Sequence, residues 1–317
     1  MKIMILGLGV IGTIYGYAFQ KSGHHVEHFV RESKRDSLPK NLNIKILDGR
    51  YNKKGEDKKD IYKVNLALPN NNYDFILISV SVGKLENAIK TLNENNINGT
   101  IILFNGIWEE RDSIEKIMGS HKYILGFPVA GGSIKDNLLD CVLFDHIMIE
   151  SQQKANIDNY QNLNQLLNSV DIKAETPFDM AEWIWIHMAI NAGVITTAFK
   201  YGNLSNPAQS AKNIMNSPSL LSEAVLTIRE AVKVVEARGV NLKNYNNELM
   251  AYKIPSKLAG MIMKRMFKTN ELTRRIMELH SNMEDLVYVC RSVYHTGKEL
   301  GVNTPLLSEK YEKYIVN

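Results

Sequence analysis

The amino end of this chain carries the feature that most restricts its fold. Residues 3–6 form an apolar run too short for a helix and closed by glycine, which predicts a buried strand. Gly7, Gly9 and Gly12 follow in G-x-G-x-x-G spacing, and a helical pattern continues to about Lys21. Each glycine then has a physical task. Gly7 permits a tight turn, Gly9 lets the backbone approach a pyrophosphate, and Gly12 lets the helix lie against the strand. The stretch Gly7, Leu8, Gly9, Val10, Ile11 and Gly12 would turn helix N-terminal N–H groups toward the phosphates. Gly16, one turn later, extends the close-packing face, and a second strand is expected over residues 25–30 after the Ser22-Gly23 turn. The motif alone is weak evidence. Between a strand and a helix, with a second strand following, it has the context it needs. The plain alternative is a glycine-rich turn that binds nothing.

The second strand runs into Val30-Arg31-Glu32-Ser33-Lys34-Arg35. An acidic residue commonly holds the ribose 2′-hydroxyl at this point, whereas arginine accommodates a 2′-phosphate. Arg31, with Lys34 and Arg35 nearby, therefore predicts NADP in preference to NAD, while Glu32 could hold a ribose hydroxyl. A solvated basic loop is the plain alternative. Residues 40–68 read as short polar strands and turns. Residues 73–80 and 100–104 are buried strands separated by a helix at 85–92. Residues 121–126 are the last clear parallel strand, 140–149 look like an added strand or strand pair, and a helix spans about 156–168. Ser79, Ser81, Lys84 and Asn105 fall at or just past strand ends, on the carboxyl edge where open α/β sheets take ligands, and are expected cofactor contacts.

Composition sets outer bounds. The chain has 317 residues, which suggests two domains. Its hydrophobic fraction of 44% and charged fraction of 23% are ordinary for a globular protein. The net charge of +4 comes without a dense Lys/Arg run, so no nucleic-acid partner is expected and an anionic ligand is well suited. Cys141 and Cys290 form no disulfide framework or C-x-x-C motif, which points to a reducing, cytoplasmic compartment. No signal-peptide core or transmembrane run is visible, so no membrane association is expected.

Pro177 marks a change of pattern. Beyond it helical periodicity takes over, across about 178–199, 217–238, 270–300 with a break near His280, and a short last helix after Pro305. The predicted fold class is α/β: a Rossmann-type dinucleotide-binding domain over residues 1–176, followed by an all-α domain over 177–317. The helix at 178–199 is apolar nearly all round, which means burial. Trp183, His187 and Asn191 recur at helical spacing and share one face of it. A buried His and Asn must find hydrogen-bond partners, and ordinary core residues satisfied by neighbours are the plain reading.

Together these residues resemble the ketopantoate reductase (2-dehydropantoate 2-reductase) family over nearly the full length. The resemblance is carried by Gly7, Gly9, Gly12 and Gly16 with Gly23-His24-His25-Val26, by Asn105-Gly106 at a strand end, by Asn191, and by the turn Gly301-Val302-Asn303-Thr304-Pro305. It implies NADP-dependent reduction of a small carbonyl compound, a 2-oxo acid, with a place in pantothenate biosynthesis and a helical domain that serves substrate binding and dimerisation. It implies that Asn105 and Asn191 orient substrate or nicotinamide. Counted back from the Gly301 turn, it implies a substrate-binding carboxylate at Asp285 or its neighbour Glu284, and a substrate-facing hydroxyl at Thr273. Several positions depart from the family pattern. Trp183 stands at the catalytic lysine position, two turns before Asn191, and His187 replaces the usual Asn one turn before it. Ser81 stands where the family has a lysine near the nicotinamide, with Lys84 one turn later as a partial substitute.

Reducing a 2-oxo acid takes a hydride donor, a proton donor for the carbonyl oxygen, and groups that hold the substrate in place. The dinucleotide is the first. His187 is the candidate on this helix face for the second, with a ring that titrates near neutrality, and Lys84 or a bound water are its rivals. Trp183 makes the substrate pocket more apolar and less cationic, which argues for a substrate other than ketopantoate. The active cleft is expected between the domains, with Asn105 on one wall and the Trp183, His187 and Asn191 face on the other. A small-molecule substrate, a homodimer and no metal complete the expectation. Two alternatives stay open: an NADP-binding sensor that has lost catalysis, and a reductase of imines or opine-type conjugates.

Overall fold

The computed structural model describes residues 1–279 and 282–316. The chain divides into two compact units, Met1–Met180 and Ala181–Asn317.

The first unit grows from β1 (Lys2–Leu6), α1 (Val10–Lys21) and β2 (His25–Phe29). Ile3, Met4 and Ile5 are buried, as a short apolar run between polar flanks requires. Strands β1 and β2 pair in parallel, Leu6 opposite Phe29. The helix lies close on β1 because two glycines leave room: a Cβ at Gly12 would stand 2.4 Å from Ile5 Cγ2, and one at Gly16 2.5 Å from Ile5 Cδ1. Next come a single turn, α2 (Glu32–Arg35), then β3 (Asn41–Asp48), β4 (Glu56–Lys63), β5 (Asn71–Ile78) and α3 (Leu85–Glu94). They are followed by β6 (Ile97–Leu103), α4 (Arg111–Met118), β7 (Tyr123–Phe127), β8 (Ala130–Lys135) and β9 (Leu138–Leu143). The unit ends with β10 (His146–Ile149), α5 (Tyr160–Asn168) and β11 (Lys173–Glu175).

The larger sheet runs β11-β10-β7-β6-β5-β1-β2. Its β2, β1, β5, β6 and β7 are mutually parallel, β10 is antiparallel to β7, and β11 is parallel to β10. Chain order reverses at β1, with β2 on one side and β5 on the other, so a crevice opens at its carboxyl end. A second sheet, ordered β4-β3-β9-β8, extends the reading of residues 40–68. Strands β3 and β4 form a full antiparallel ladder from Asn41–Lys63 to Asp48–Glu56, with Leu42, Ile44 and Ile46 buried on one face. Residues 140–149 are cut at Phe144-Asp145 into strands that join different sheets, so the added pair is not a pair with itself.

The second unit is helical throughout its described residues. It comprises α6 (Met180–Lys200), which opens at the division, α7 (Pro207–Asn216), α8 (Pro218–Ala237), a 3-10 turn (Leu242–Tyr245) and α9 (Asn246–Lys253). Helices α10 (Ser256–Thr269), α11 (Glu271–Leu279), α12 (Met283–Glu299) and α13 (Pro305–Tyr314) follow. The expected break near His280 falls between α11 and α12, on residues outside the described ones. Helix α8 is the central rod. At Gly193 of α6 an added Cβ would meet the Ile228 backbone N at 2.7 Å, and at Gly260 of α10 the Pro218 carbonyl at 2.4 Å, so both neighbours cross α8 at glycines. Lys310 of α13 is fully buried; its Nζ donates to Thr197 (2.9 Å) and Thr227 (2.5 Å) and lies 3.0 Å from Glu223. Lys200 (2.9 Å) and the Tyr201 hydroxyl (2.7 Å) bind the same carboxylate. Burial lowers the Lys310 pKa against the pull of Glu223. Burial also works to raise Glu223, yet hydrogen bonds from Lys200, Tyr201 and Lys310 hold it at about 2.

Candidate active site

The glycine turn sits where β1 delivers the chain into α1. Gly7 adopts φ 87°, a left-handed conformation that glycine takes without strain. Gly9 is the N-cap of α1 and supplies no side-chain cap, and the first turn of α1 carries no acidic residue. The first N–H groups of α1, from Val10 onward, thus end at an uncapped, positively polarised helix terminus. Gly9 also runs close to the next strand, since a Cβ there would lie 3.9 Å from the Ser79 carbonyl.

One residue that the sequence reading passed over fixes this turn. His28 of β2 is fully buried, its Nδ1 2.8 Å from the Gly7 carbonyl and its Nε2 2.7 Å from the Tyr62 hydroxyl. The Gly7 carbonyl can only accept, so Nδ1 carries the proton and Nε2 accepts from Tyr62. Burial pushes the His28 pKa down to about 4, which keeps the ring neutral, while burial raises Tyr62 and keeps it a donor. The Gly7 N–H in turn donates to the Phe29 carbonyl at 2.8 Å. A histidine in a strand gives no motif signal, so only the structure reveals this clamp.

The basic stretch after β2 divides by role. Arg35 is spent structurally: its guanidinium donates to the Ala67 carbonyl at 2.5 Å and lies over the Phe29 ring at 5.9 Å. Arg31, the N-cap of α2, and Lys34 are exposed, and neither side chain meets an acidic partner among the described residues. Glu32 is exposed beside them. Ser79 and Ser81 lie just past β5, and Lys84 is the exposed N-cap of α3, its N–H on the Ser81 carbonyl at 3.1 Å. Asn105 is buried, with Nδ2 donating to the Val80 carbonyl at 2.6 Å and Oδ1 accepting from the Val80 N–H at 3.3 Å. Asn105 thus straps the β5 loop to the end of β6, leaving one amide hydrogen and one lone pair for any ligand.

The helical unit holds a cavity of about 330 Å³. Trp183, His187 and Asn191 of α6 line it, as does Thr273 of α11, so four residues singled out in the sequence meet at one place. The His187 ring stacks on the Trp183 indole with centroids 5.1 Å apart and planes 13° from parallel, which fixes the imidazole orientation. Glu284 and Asp285 are not among the lining residues. They occupy the first turn of α12, where the Asn282 amide binds Asp285 at 2.5 Å. Thr273 lies on α11 and Asp285 on α12, on either side of the expected break. The carboxylate on this wall is Glu248 of α9, with Tyr252 one turn later. Burial raises the Tyr252 pKa, so its hydroxyl is a neutral donor. The rest of the wall is aliphatic and methionine-rich, including Met263, Met266 and Met277. Among the described residues no cluster of His, Cys, Asp and Glu could hold a metal ion, and no helix is long and apolar enough to cross a membrane.

Residues 3–141 match the family described as ketopantoate reductase PanE/ApbA. No curated protein matches the sequence. Solved structures share the fold at low identity. A dimeric ketopantoate reductase from Staphylococcus aureus superposes with a TM-score of 0.65 at 16% identity, covering 98% of this chain and 96% of that one. A D-mandelate dehydrogenase, in its ternary structure with NADH and anilino(oxo)acetate, gives the same score, identity and coverage: 0.65, 16%, 98% and 96%. A 2-dehydropantoate 2-reductase from Methylococcus capsulatus gives 0.60 at 16%, covering 98% and 95%.

Proposed function

We propose that this chain, whose residues 3–141 match the ketopantoate reductase family model, is an NADP-dependent reductase of a small carbonyl compound, a 2-oxo acid other than ketopantoate. The observation that supports it most is the uncapped α1 terminus behind Gly7, lying within the stretch that matches the family and held by His28. A dinucleotide pyrophosphate fits there: the turn offers N–H groups, no carboxylate and no side-chain cap. Arg31 and Lys34 would take the 2′-phosphate, and Ser79, Ser81 and Lys84 would flank the cofactor. When bound, the dinucleotide supplies the hydride for the carbonyl carbon.

This chain's own residues do the rest. The substrate occupies the helical cavity, where Trp183 and the aliphatic wall exclude water from its body. His187 gives a proton to the carbonyl oxygen as negative charge develops there, its ring held in one plane by the indole. Asn191 and Thr273 hydrogen-bond the substrate and set its orientation. With Trp183 at the lysine position, no ammonium from α6 stabilises that oxygen, so ketopantoate itself is a slow substrate. Leu258, Met261 and Ile262, exposed along one face of α10, support a homodimer, which light scattering on the purified chain would measure. The test of function is NADPH oxidation, followed by absorbance, over a panel of 2-oxo acids with and without an added amine. Turnover of bulky apolar 2-oxo acids above ketopantoate is expected. Tight NADP binding with no turnover across the panel would replace the reductase by a sensor.

A further inference from the structure

Four polar groups of the helical cavity are unspent. Asn191, the Tyr252 hydroxyl, the Thr273 hydroxyl and the Glu248 carboxylate all line it, and none has a side-chain hydrogen bond or ion pair among the described residues. Polar side chains held against a largely apolar wall normally find partners. A group of them left open on one cavity describes the complement of a ligand.

The charge of that complement is legible. Glu248 is half-buried, neither Lys nor Arg is among the lining residues, and the one lining group that can carry positive charge, the His187 ring, is committed to the carbonyl oxygen in the proposed reaction. Its place in the first turn of α9 makes a carboxylate tolerable there, through the helix dipole, but Glu248 has no ion pair among the described residues. A ligand carboxylate brought to this wall would meet like charge. A neutral apolar ligand would strip water from Glu248 and return nothing. An ammonium group would make a charge-assisted hydrogen bond instead.

We infer that the ligand of this cavity carries a cationic amine on an apolar body, with Glu248 as its counter-ion and Tyr252 beside it. The inference rests on the cavity being the substrate pocket of the proposed reductase, and narrows its substrate to amino-bearing carbonyl compounds. In an amino-substituted 2-oxo acid the oxo acid is the reacting end and the ammonium is the end that Glu248 holds.

Calorimetric titration of the full chain with three matched probes tests this without turnover: 2-phenylethylammonium, 2-phenylethanol and 3-phenylpropanoate. The amine should bind about tenfold or more tighter than the other two, the range of a charge-assisted hydrogen bond. Glu248→Gln should bring the three within about twofold, while Tyr252→Phe, which leaves the charge in place, should preserve the ranking. An alcohol or carboxylate bound as tightly as the amine, a ranking unmoved by Glu248→Gln, or no binding of any probe would overturn the inference. The wild-type ranking decides even if a variant fails to fold. A missing NADPH oxidation with the ranking intact would fault the reductase reading alone.

Discussion

Acidification should loosen the nucleotide turn through one residue, His28. Its ring donates from Nδ1 to Gly7 and accepts at Nε2 from Tyr62, an arrangement that exists only in the neutral form. Burial puts its native pKa at about 4, against 6.5 for an ordinary histidine. The unfolded chain therefore binds a proton that the native chain refuses, and stability falls as pH drops from about 6.5 to about 4. At pH 7 both states are nearly neutral and the effect is small. By pH 5 the linkage relation gives a loss of about 2 kcal/mol, and below the native pKa it saturates near 3 kcal/mol. Carboxylates with depressed pKa values, Asp48 and Asp60 among them, lose stability in the same direction. A comparison with His28→Asn removes that background. Asparagine can still donate to Gly7 but does not titrate, and it leaves the buried Tyr62 hydroxyl without its acceptor, at about 1–3 kcal/mol. Urea unfolding followed by circular dichroism should find the variant less stable at pH 7, with the gap closing by about 2 kcal/mol at pH 5. Proton NMR titration of the ring reads the pKa directly. A His28 resonance that titrates above pH 6, or a gap that stays constant, refutes the reasoning.

Arg31→Ala should erase a preference for NADP over NAD of about ten- to a hundredfold, the scale of one charge-assisted contact, as read by calorimetry with both cofactors. His187→Ala should lower turnover by about 10²–10⁴-fold on whichever substrate the panel finds, with NADPH affinity nearly unchanged; wild-type turnover would make it an ordinary core histidine. Gly12→Ala should cost about 1–3 kcal/mol in chemical denaturation, because its Cβ would overlap Ile5 Cγ2, and adding Ile5→Ala should make that step cheaper. Glu223→Gln should cost about 3–5 kcal/mol by stranding the buried Lys310 charge, whereas Lys310→Met should cost less, since Glu223 keeps Lys200 and Tyr201.

The parts of the fold that show in the sequence are those where local pattern and burial coincide. Strand β1 has an apolar run at its centre, and β5 and β6 end in apolar runs, Phe75 to Ile78 and Ile101 to Leu103, because the buried part of a parallel sheet admits little else. The glycines of α1 announce themselves because a Cβ would collide with Ile5. The second sheet is harder to see. Strand β4 reads Glu-Asp-Lys-Lys-Asp-Ile-Tyr-Lys, with Tyr62 alone fully buried, so its strand state comes from the long ladder with β3 rather than from its own residues. Strand β8 contains Gly131 and Gly132, which look like a turn; a Cβ at Gly132 would stand 2.5 Å from the Asp140 carbonyl, so the glycine is there for close strand approach.

The candidate site divides along the same line. Trp183, His187 and Asn191 are visible because one helix writes its face at fixed intervals, and the cavity gathers all three. Glu248 and Tyr252 obey the same spacing on α9, but that helix has exposed Met250 and polar flanks, so no apolar stripe marks which side is inward. Asp285 has the right chemistry and lies on α12, the helix that leads into the Gly301 turn, but it is not among the residues that line this cavity. The consequence reaches the substrate. The carboxylate on the cavity wall is Glu248 of α9, and neither lysine nor arginine lines that wall. An acid on a wall without lysine or arginine favours positive charge on the ligand, so residues 3–141 match the ketopantoate reductase family while the helical cavity sets its own demand on the substrate.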